Sequence, residues 1–401
     1  AGGNPFITTV GSGAGATGGE IGLVNLSYVS NIVFSGITFE GAAGSLFFIT
    51  SGQNNLISNC TLNGCSCDGV DMVNNTVTTA VSYCTIANMG EIGVFMLDGN
   101  LNRVTLTADT NAVIDNTIYN MSRLCWTYNP GISIHGVGQY AAHNLIYNGR
   151  HNAILVYGNN NVVEYNEIHN VCTETSDAGA IYMGRDWTQR GNIIRYNYLH
   201  NINRGGGAIS PNGVVGVYLD DLFCGATIYG NIFSAVDHGV QIGGGRDNIV
   251  QDNIFVGCTN VAIEADQRGL GWEASMITST NSIMWTELYA MPYQTPPWSV
   301  EYPALVPLPT NNPGAAVGNI IQNNISYSNA LWISWQDNAQ TNVMVTNNFT
   351  SGDPLFVNSL QPQLGLLTNS PVWGFGFQPI PSNIIGARPL PPTDFRVVGS
   401  P

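Results

Sequence analysis

An asparagine recurs along this chain at a constant point of a repeating unit, two residues before an apolar residue. It occurs at eight positions: Asn116, Asn144, Asn166, Asn197, Asn231, Asn253, Asn323 and Asn347, with Cys60 and Cys84 extending the register toward the N-terminus. The closest repeats are 22 residues apart, which suits one coil of a solenoid. Because equivalent side chains of stacked coils hydrogen-bond as a ladder, the repeat predicts an all-β fold, a parallel β-helix.

Composition agrees with an all-β solenoid and narrows the range of partners. Charged residues make up 9% of the chain and glycine 47 of its 401 residues, which favours tight turns over helices. All 11 basic residues are arginine and the net charge is −15, which excludes nucleic acid and anionic membranes as partners. No apolar run approaches the roughly 20 residues that span a bilayer. We expect a processed, secreted protein that acts outside the cell.

The coil pattern divides the chain into three segments. Residues 1–24 are predicted to form a lead-in or cap, and residues 25–359 the β-helix, which carries a large insertion at 267–316. Residues 360–401 form a proline-rich tail that is expected to pack on the helix, because proline cannot donate to a ladder. Insertions in a solenoid cluster on one face and build its binding site.

The second apolar run of each coil predicts which side chains point outward. Side chains alternate along a strand, so the middle residue of each apolar triplet and the residue after the triplet face out. One outward column comprises Asp71, Phe95, Ser133, Leu155, Tyr182, Tyr218, Gln241 and Glu264. The second comprises Val73, Leu97, His135, Tyr157, Gly184, Asp220, Gly243 and Asp266. We expect these columns to line a groove.

Asp220 and Asp266 are predicted to face each other across Gly243, which leaves the space between them open. Two coil steps separate their backbones by about 9–10 Å. Leaning side chains would bring the carboxyls within the roughly 6.5–9.5 Å expected of an inverting glycosidase. Glycoside cleavage needs such a pair, because one group protonates the leaving oxygen while the other acts at the anomeric side. The candidate substitutes in either role are Asp221, Asp247 and Glu264.

Other side chains near this column are predicted to bind substrate. Tyr182, Tyr218 and Trp187 are expected to stack on sugar rings, and His135 to contact substrate as a polar residue. The remaining predicted substrate-binding residues are Arg185, Asp186, Arg246 and Arg268. The alternative interpretation of this charged cluster is a set of turn residues and exposed ion pairs.

No metal site or cofactor is predicted from the spacing of ligand residues. His143, His169, His200 and His238 are dispersed over turns and strands, so no metal triad is expected. A Ca²⁺ site built on aspartates and backbone carbonyls is the alternative.

The cysteines and the N-glycosylation sequons lead to two further predictions. Eight cysteines allow up to four disulfides. Cys60 and Cys84 are expected on adjacent coils about 4.8 Å apart, where either a disulfide or two unpaired thiols would fit. Six sequons are candidate glycosylation sites in a secreted eukaryotic protein: Asn25, Asn59, Asn74, Asn120, Asn324 and Asn348.

Several stretches resemble a family of bacterial right-handed parallel β-helix proteins that includes α-L-fucosidase/xylanase-type glycoside hydrolases. They begin at Ile154 (ILVYGNNNVVEYNEIHN), Gly216 (GVYLDD), Ile228 (IYGNIFSAVDHGVQIGGGRDN), Glu264 (EADQRGLGW) and Gly352 (GDPLFVN). The resemblance implies a right-handed helix with a carbohydrate-active groove. The matching positions in that groove are Asp186, Trp187, Asp220, Asp221, Asp247, Asp266 and Arg268.

The leading interpretation is a secreted, glycosidase-like β-helix protein that cleaves a cell-wall or other extracellular polysaccharide with Asp220 and Asp266. A second is a non-catalytic extracellular protein, in which a glycosidase-derived β-helix self-associates into filaments or a coat. A third is a polysaccharide lyase or epimerase, which requires a basic group near the acids, and the arginines are candidates for it.

Overall fold

The computed structural model is a parallel β-helix, which confirms the predicted all-β fold. It describes residues 6–7, 22–97, 101–203, 213–357 and 365–389. Three parallel sheets of 11 strands each, sheets A, B and C, run along the helix, and each coil contributes one strand to every sheet. Most of the predicted N-terminal cap lies outside the described residues.

The strands are short and are numbered in chain order. Sheet A consists of β1 (Phe6–Ile7), β4 (Thr38–Ala42), β7 (Thr61–Cys65), β10 (Thr85–Met89), β13 (Thr117–Tyr119), β16 (Leu145–Tyr147), β19 (Glu167–His169), β22 (Tyr198–Ile202), β25 (Ile232–Val236), β28 (Ile254–Val256) and β31 (Ile325–Tyr327). Sheet B consists of β2 (Gly22–Ser27), β5 (Ser45–Thr50), β8 (Val70–Val73), β11 (Val94–Leu97), β14 (Ile132–Val137), β17 (Ile154–Asn159), β20 (Ala178–Gly184), β23 (Val214–Asp220), β26 (His238–Gly243), β29 (Val261–Asp266) and β32 (Ile333–Trp335). Sheet C consists of β3 (Val33–Ser35), β6 (Leu56–Ser58), β9 (Ala80–Ser82), β12 (Ala112–Ile114), β15 (Tyr140–Ala142), β18 (Val162–Glu164), β21 (Ile193–Arg195), β24 (Thr227–Tyr229), β27 (Ile249–Gln251), β30 (Asn319–Gln322) and β33 (Val343–Thr346).

Helices occur mainly in the insertion between β29 and β30. The α-helices are α1 (Leu101–Thr105), α2 (Ala274–Thr278), α3 (Ile283–Ala290) and α4 (Trp298–Glu301). Short 3₁₀ turns span Arg268–Leu270, Pro303–Leu305, Leu308–Thr310, Ala339–Thr341, Pro371–Phe375 and Ser382–Ile384. Within the described ranges, no helix is long and apolar enough to cross a membrane.

The asparagine ladder lies at the corner between sheets C and A. At each corner one residue adopts a left-handed conformation, such as Tyr165 with a φ of 54°, and the ladder asparagine follows it. Asn166 Nδ2 donates to the carbonyl oxygens of Ala141 and Glu164, and to Asn197 Oδ1 of the next coil. These hydrogen bonds satisfy backbone groups that the sharp corner removes from the strand ladders. The predicted ladder is therefore confirmed in its main part.

The ladder uses different asparagines in the last two coils. Asn253 donates to Asn324, and Asn324 donates to Asn348, so the predicted positions Asn323 and Asn347 were one residue too early. Asn323 and Asn347 instead take the left-handed corner conformation, which asparagine tolerates.

This register also corrects the prediction that Asn324 and Asn348 are glycosylation sites. Asn324 is fully buried, and both side-chain amides are committed to the ladder and to backbone carbonyls. A glycan on either amide would break these hydrogen bonds. Asn25, Asn59 and Asn74 are exposed, and Asn120 is half-buried; these four sites remain predictions.

Cys60 and Cys84 continue the ladder as thiols. No disulfide joins any of the eight cysteines, all of which lie in the described ranges, so the disulfide alternative was wrong. Cys84 Sγ accepts from the amide of Cys60, and Asn116 Oδ1 accepts from the amide of Cys84. The hydrogen bond with Cys84 lowers the pKa of the Cys60 thiol to about 7 against the opposing effect of burial.

A second asparagine ladder supports the corner before sheet C. Its side chains donate to the next coil in the same way, from Asn161 to Asn192 and from Asn248 to Asn319. It was missed in the sequence, although each of these asparagines directly precedes two β-branched residues. Two ladders hold two of the corners in register, and the outward columns of sheet B depend on that register.

The C-terminal tail returns along the corner between sheets C and A. Asp252 accepts from the amide of Gln378, and Arg388 forms an ion pair with Asp115 at 2.8 Å. Because Asp252 and Asp115 belong to distant coils of the same corner, the tail crosses several coils in the direction opposite to the growth of the helix.

Candidate active site

Sheet B places the two predicted outward columns in register. Strand pairing aligns Tyr182 with Tyr218 and, through Gln241, with Glu264. In the second column Gly184 pairs with Asp220, and Gly243 pairs with Asp266. The asparagine repeat therefore predicted the relative positions of these residues correctly.

The space between Asp220 and Asp266 is filled by the guanidinium of Arg268. Arg268 Nη1 lies 2.7 Å from Asp220 Oδ1 and 2.9 Å from Asp221 Oδ1, while its Nη2 lies 2.7 Å from Asp266 Oδ2. Its Nε also donates to both oxygens of Asp266. The prediction that Gly243 leaves an open space was wrong, because the glycine makes room for this buried arginine.

Asp220 and Asp221 are neighbours in sequence, but their environments shift their pKa values in opposite directions. Burial and the neighbouring Asp221 carboxylate raise the pKa of Asp220, although Arg268 and the hydroxyls of Tyr218 and Tyr182 oppose the shift. Burial also disfavours the charged form of Asp221. The hydrogen bond with Glu273 and the charge of Arg268 together outweigh this effect of burial, so the pKa of Asp221 is lowered.

Glu273 is a member of this cluster that was not predicted. Burial and its hydrogen bond to Asp221 raise the pKa of Glu273 to about 8. Its Oε2 is buried and makes no hydrogen bond among the described residues, which a neutral carboxyl tolerates better than a carboxylate. Glu273 comes from the insertion, just before α2, where no coil periodicity could place it.

A groove of about 500 Å³ runs along sheet B next to this cluster. Its walls comprise Leu97, Arg103, Tyr128, His135, Gly136, Tyr157, Gly158, Tyr182, Gly184, Arg185, Asp186, Gln189, Ile283 and Glu287. Strands β11 to β20 supply its floor, while Ile283 and Glu287 come from α3 of the insertion. The insertion therefore helps to build the groove.

Rings from successive coils line the groove. His135 and Tyr157 lie with ring centroids 4.6 Å apart, and Tyr128 meets Tyr182 edge-on at 5.9 Å. Burial lowers the pKa of His135 to about 4, so this imidazole is neutral near pH 7. Its Nε2 lies 3.0 Å from the hydroxyl of Ser133. Tyr128 and Tyr157 were not among the predicted site residues, although Tyr157 was already in the second column.

Two residues connect the groove to the acidic cluster. The hydroxyl of Tyr182 donates to Asp220 Oδ2 at 2.9 Å, and Arg185 Nε donates to Asp221 Oδ2 at 2.5 Å. Gly184 permits this approach, because a Cβ there would lie 2.9 Å from the Tyr182 hydroxyl and 3.3 Å from Asp220 Cβ. Asp220 thus adjoins the groove.

Two predicted sugar-stacking residues do not line the groove. Trp187 is fully buried and packs edge-on against Trp285 at 5.1 Å, beneath the insertion, so the prediction that it stacks on substrate was wrong. Tyr218 is buried, and its hydroxyl donates to Asp177 Oδ1 at 3.1 Å. Tyr182 remains the predicted aromatic residue that reaches the groove.

The other predicted polar residues are distributed around the cluster. Asp186 lines the groove and pairs with Arg103 at 3.2 Å. Glu264 accepts from Gln241 in the first column; burial raises its pKa, which the charge of His238 opposes. Asp247 pairs instead with Arg190 at 2.9 Å.

Arg246 also faces away from the acidic cluster. Its Nη1 donates to the carbonyl oxygen of Asn311 in the insertion. These contacts of Asp247 and Arg246 join the helix to neighbouring loops and not to Asp220.

Comparison with known proteins finds similar solved structures. No protein-family model and no curated protein matches the sequence. The catalytic unit of a thermostable GH87 α-1,3-glucanase from Streptomyces thermodiastaticus strain HF3-3 is 12% identical, with a TM-score of 0.53, over 82% of this chain and 55% of that one. A protein named as a glycoside hydrolase is 15% identical, with a TM-score of 0.39, over 55% of this chain and 37% of that one. Pectate lyase Pel9A is 9% identical, with a TM-score of 0.42, over 92% of this chain and 80% of that one.

These similarities concern the architecture. The α-1,3-glucanase shares the β-helix fold, and the chain spans 37% and 55% of the lengths of the two glycoside hydrolases. None of the three structures identifies the fucosidase/xylanase-type family that the sequence motifs resemble.

Proposed function

We propose that this chain is an extracellular carbohydrate-active enzyme that hydrolyses a polysaccharide bound in the groove on sheet B. The observation that carries the proposal is the position of Asp220, a buried carboxyl with a raised pKa, directly behind Tyr182, which lines an aromatic groove and donates its hydroxyl to Asp220. Sugars bind on such surfaces because ring faces are apolar while their hydroxyls need polar partners.

Asp220 is assigned the role of proton donor. A general acid must keep its proton until the transition state, and a raised pKa brings a carboxyl closer to that condition at neutral pH. Asp266 is a poor partner for it, because Arg268 occupies three hydrogen-bonding directions of that carboxylate. Of the acids that line the groove, Asp186 already accepts from Arg103 and from the amide and hydroxyl of Thr188. We therefore assign the second carboxylate to Glu287.

The charges of the groove favour a neutral polysaccharide. Its two arginines, Arg103 and Arg185, are each paired with an aspartate, so neither contributes an uncompensated positive charge. A uronic-acid polymer would meet the carboxyl of Glu287, which pairs with no arginine among the described residues. Ion pairing also weakens the lyase alternative, which needs an available basic group near the acids. The arginine nearest the acids, Arg268, already contacts three aspartates.

The proposal is tested by incubating the protein with soluble neutral and uronic-acid polysaccharides and measuring new reducing ends. We expect cleavage of a neutral polymer, and a loss of about 10²–10⁴-fold in Asp220→Asn. Glu287→Gln, which removes the proposed second carboxylate, should cause a comparable loss. Asp252→Asn is the matched control, since Asp252 is buried at a distant corner and accepts from the tail.

Two results would contradict the assignment. Full activity of Asp220→Asn would remove this residue from catalysis. Products that absorb ultraviolet light through a new carbon–carbon double bond, formed only from uronic-acid polymers, would identify a lyase.

A further inference from the structure

We propose that Glu167, His169 and His200 form a binding site for a divalent transition-metal ion, Zn²⁺ by preference, on the outer face of sheet A. One ligand atom from each side chain lies within 4.8 Å of the other two. The site is on a different sheet from the groove and is independent of the proposed hydrolase activity.

The coil register brings these three residues together. Glu167 and His169 are two residues apart on β19, so both side chains point out of the same face. Pairing of β19 with β22 places Tyr198 beside Glu167, and His200 beside His169. The expectation that the histidines are dispersed was therefore wrong for this pair, because residues far apart in sequence become neighbours one coil apart.

The distances suit tetrahedral coordination. His200 Nε2 lies 3.3 Å from Glu167 Oε1. Two ligand atoms about 2.0–2.2 Å from a tetrahedral zinc ion lie about 3.4 Å from each other. The imidazoles of His169 and His200 are stacked, with ring centroids 4.8 Å apart and planes inclined by 28°. Small side-chain rotations are enough to direct a nitrogen from each ring at a common ion.

Neighbouring groups hold the three ligands in place. Tyr147 stacks on His169 with ring centroids 5.1 Å apart, and Tyr198 stacks on His200 at 4.2 Å. Gly386 of the tail passes over Glu167, where a Cβ would lie 3.0 Å from Oε2. All three ligands are half-buried, so a hydrated ion can reach them from solvent.

The donor set selects the metal. Two imidazoles and one carboxylate suit Zn²⁺ and its neighbours Ni²⁺ and Cu²⁺, whereas Ca²⁺ and Mg²⁺ prefer oxygen ligands alone. Three protein ligands leave a fourth position for water. Because the ligands come from two adjacent coils, the ion would join β19 to β22 and stabilise the folded state in proportion to its occupancy.

The test is titration of the untagged, chelator-treated full chain with Zn²⁺ in a calorimeter, together with thermal unfolding. We expect one saturable site and a melting temperature that rises with Zn²⁺ concentration. His169→Phe and His200→Phe keep an aromatic ring in the stack and should each weaken binding about tenfold or more. Tyr147→Phe alters the same stack without removing a ligand and should bind as the parent protein does.

Three results would overturn the site. These are the absence of saturable Zn²⁺ binding, equal affinity in both histidine variants and the parent, and a Co²⁺ complex with a thiolate charge-transfer band. The last would assign the metal to cysteines. A Co²⁺ complex with nitrogen and oxygen ligands that is lost in both histidine variants supports the site.

Discussion

The guanidinium of Arg268 occupies the position that a side chain at Gly243 would need. A Cβ at Gly243 would lie 2.8 Å from both Cζ and Nη2 of Arg268, and 2.9 Å from the carbonyl oxygen of Leu219. A glycine in one coil and an arginine from the end of the next strand thus form a single packing unit. This unit fixes the distance between Asp220 and Asp266.

Replacement of Gly243 by alanine should therefore disturb the acidic cluster. The new methyl group must displace Arg268 or the backbone of Leu219, and such overpacking costs about 1–3 kcal/mol of unfolding free energy. Urea unfolding measures the loss. Gly374→Ala is the control, because a Cβ there meets nothing within 4 Å and should change stability by less than about 0.5 kcal/mol. Equal stability of both variants would show that Arg268 does not need the space.

Removal of Arg268 should be more damaging than crowding it. Arg268→Met leaves Asp220, Asp221 and Asp266 buried beside one another without their shared cation, which costs about 3–5 kcal/mol at neutral pH. The loss should shrink as the pH falls, because protonation removes the repulsion between the carboxylates. Chemical unfolding at several pH values tests this, with the exposed Arg123→Met as control. A loss that is independent of pH would point to packing rather than charge.

The fold and the columns could be predicted because they follow from repetition. Each coil places equivalent residues in one line, so the register of the second apolar triplet in each coil was enough to align Tyr182 with Tyr218 and Gly243 with Asp266. The repeat does not predict the conformations of long side chains. Arg268 follows β29 in a 3₁₀ turn that returns its side chain over Gly243, and nothing periodic indicates this.

The positions of residues outside the coils could not be predicted from the repeat. Glu273 lies in the insertion, and Tyr128 lies in the loop before β14, so neither has an equivalent in neighbouring coils. Trp187 follows a strand of the groove, but the insertion covers it. At Asn323 and Asn324 the pattern was ambiguous, because asparagine suits both the left-handed corner and the ladder position.

Glu273 should make stability decrease as pH rises. Its ordinary pKa of 4.5 describes the unfolded chain, while burial and Asp221 raise the pKa in the folded protein to about 8. Between these values the folded state holds the extra proton, so the contribution is full below about pH 4.5 and is lost as pH rises through about 8. The slope from this group is at most about 1.4 kcal/mol per pH unit.

Urea unfolding between pH 5 and pH 8 measures that slope. Glu273→Gln should flatten it, because glutamine does not titrate. Asp221→Asn should also flatten it, because the carboxylate that helps to hold the proton on Glu273 is gone. If both variants keep the slope of the parent protein, the proton is held elsewhere in the cluster.

The adjacent pair Asn323 and Asn324 provides the strictest test of the coil register. Asn324→Ala removes a fully buried amide that donates to Val250 O and Asn348 and accepts from Asn253, so it should cost about 2–5 kcal/mol. Asn323→Gly keeps the left-handed corner, which glycine adopts freely, and should cost less than about 1 kcal/mol. Thermal or urea unfolding of the two variants distinguishes them directly. A larger loss at Asn323 than at Asn324 would place Asn323 in the ladder, as the sequence pattern predicted. The last two coils would then shift by one residue, which turns their outward side chains inward.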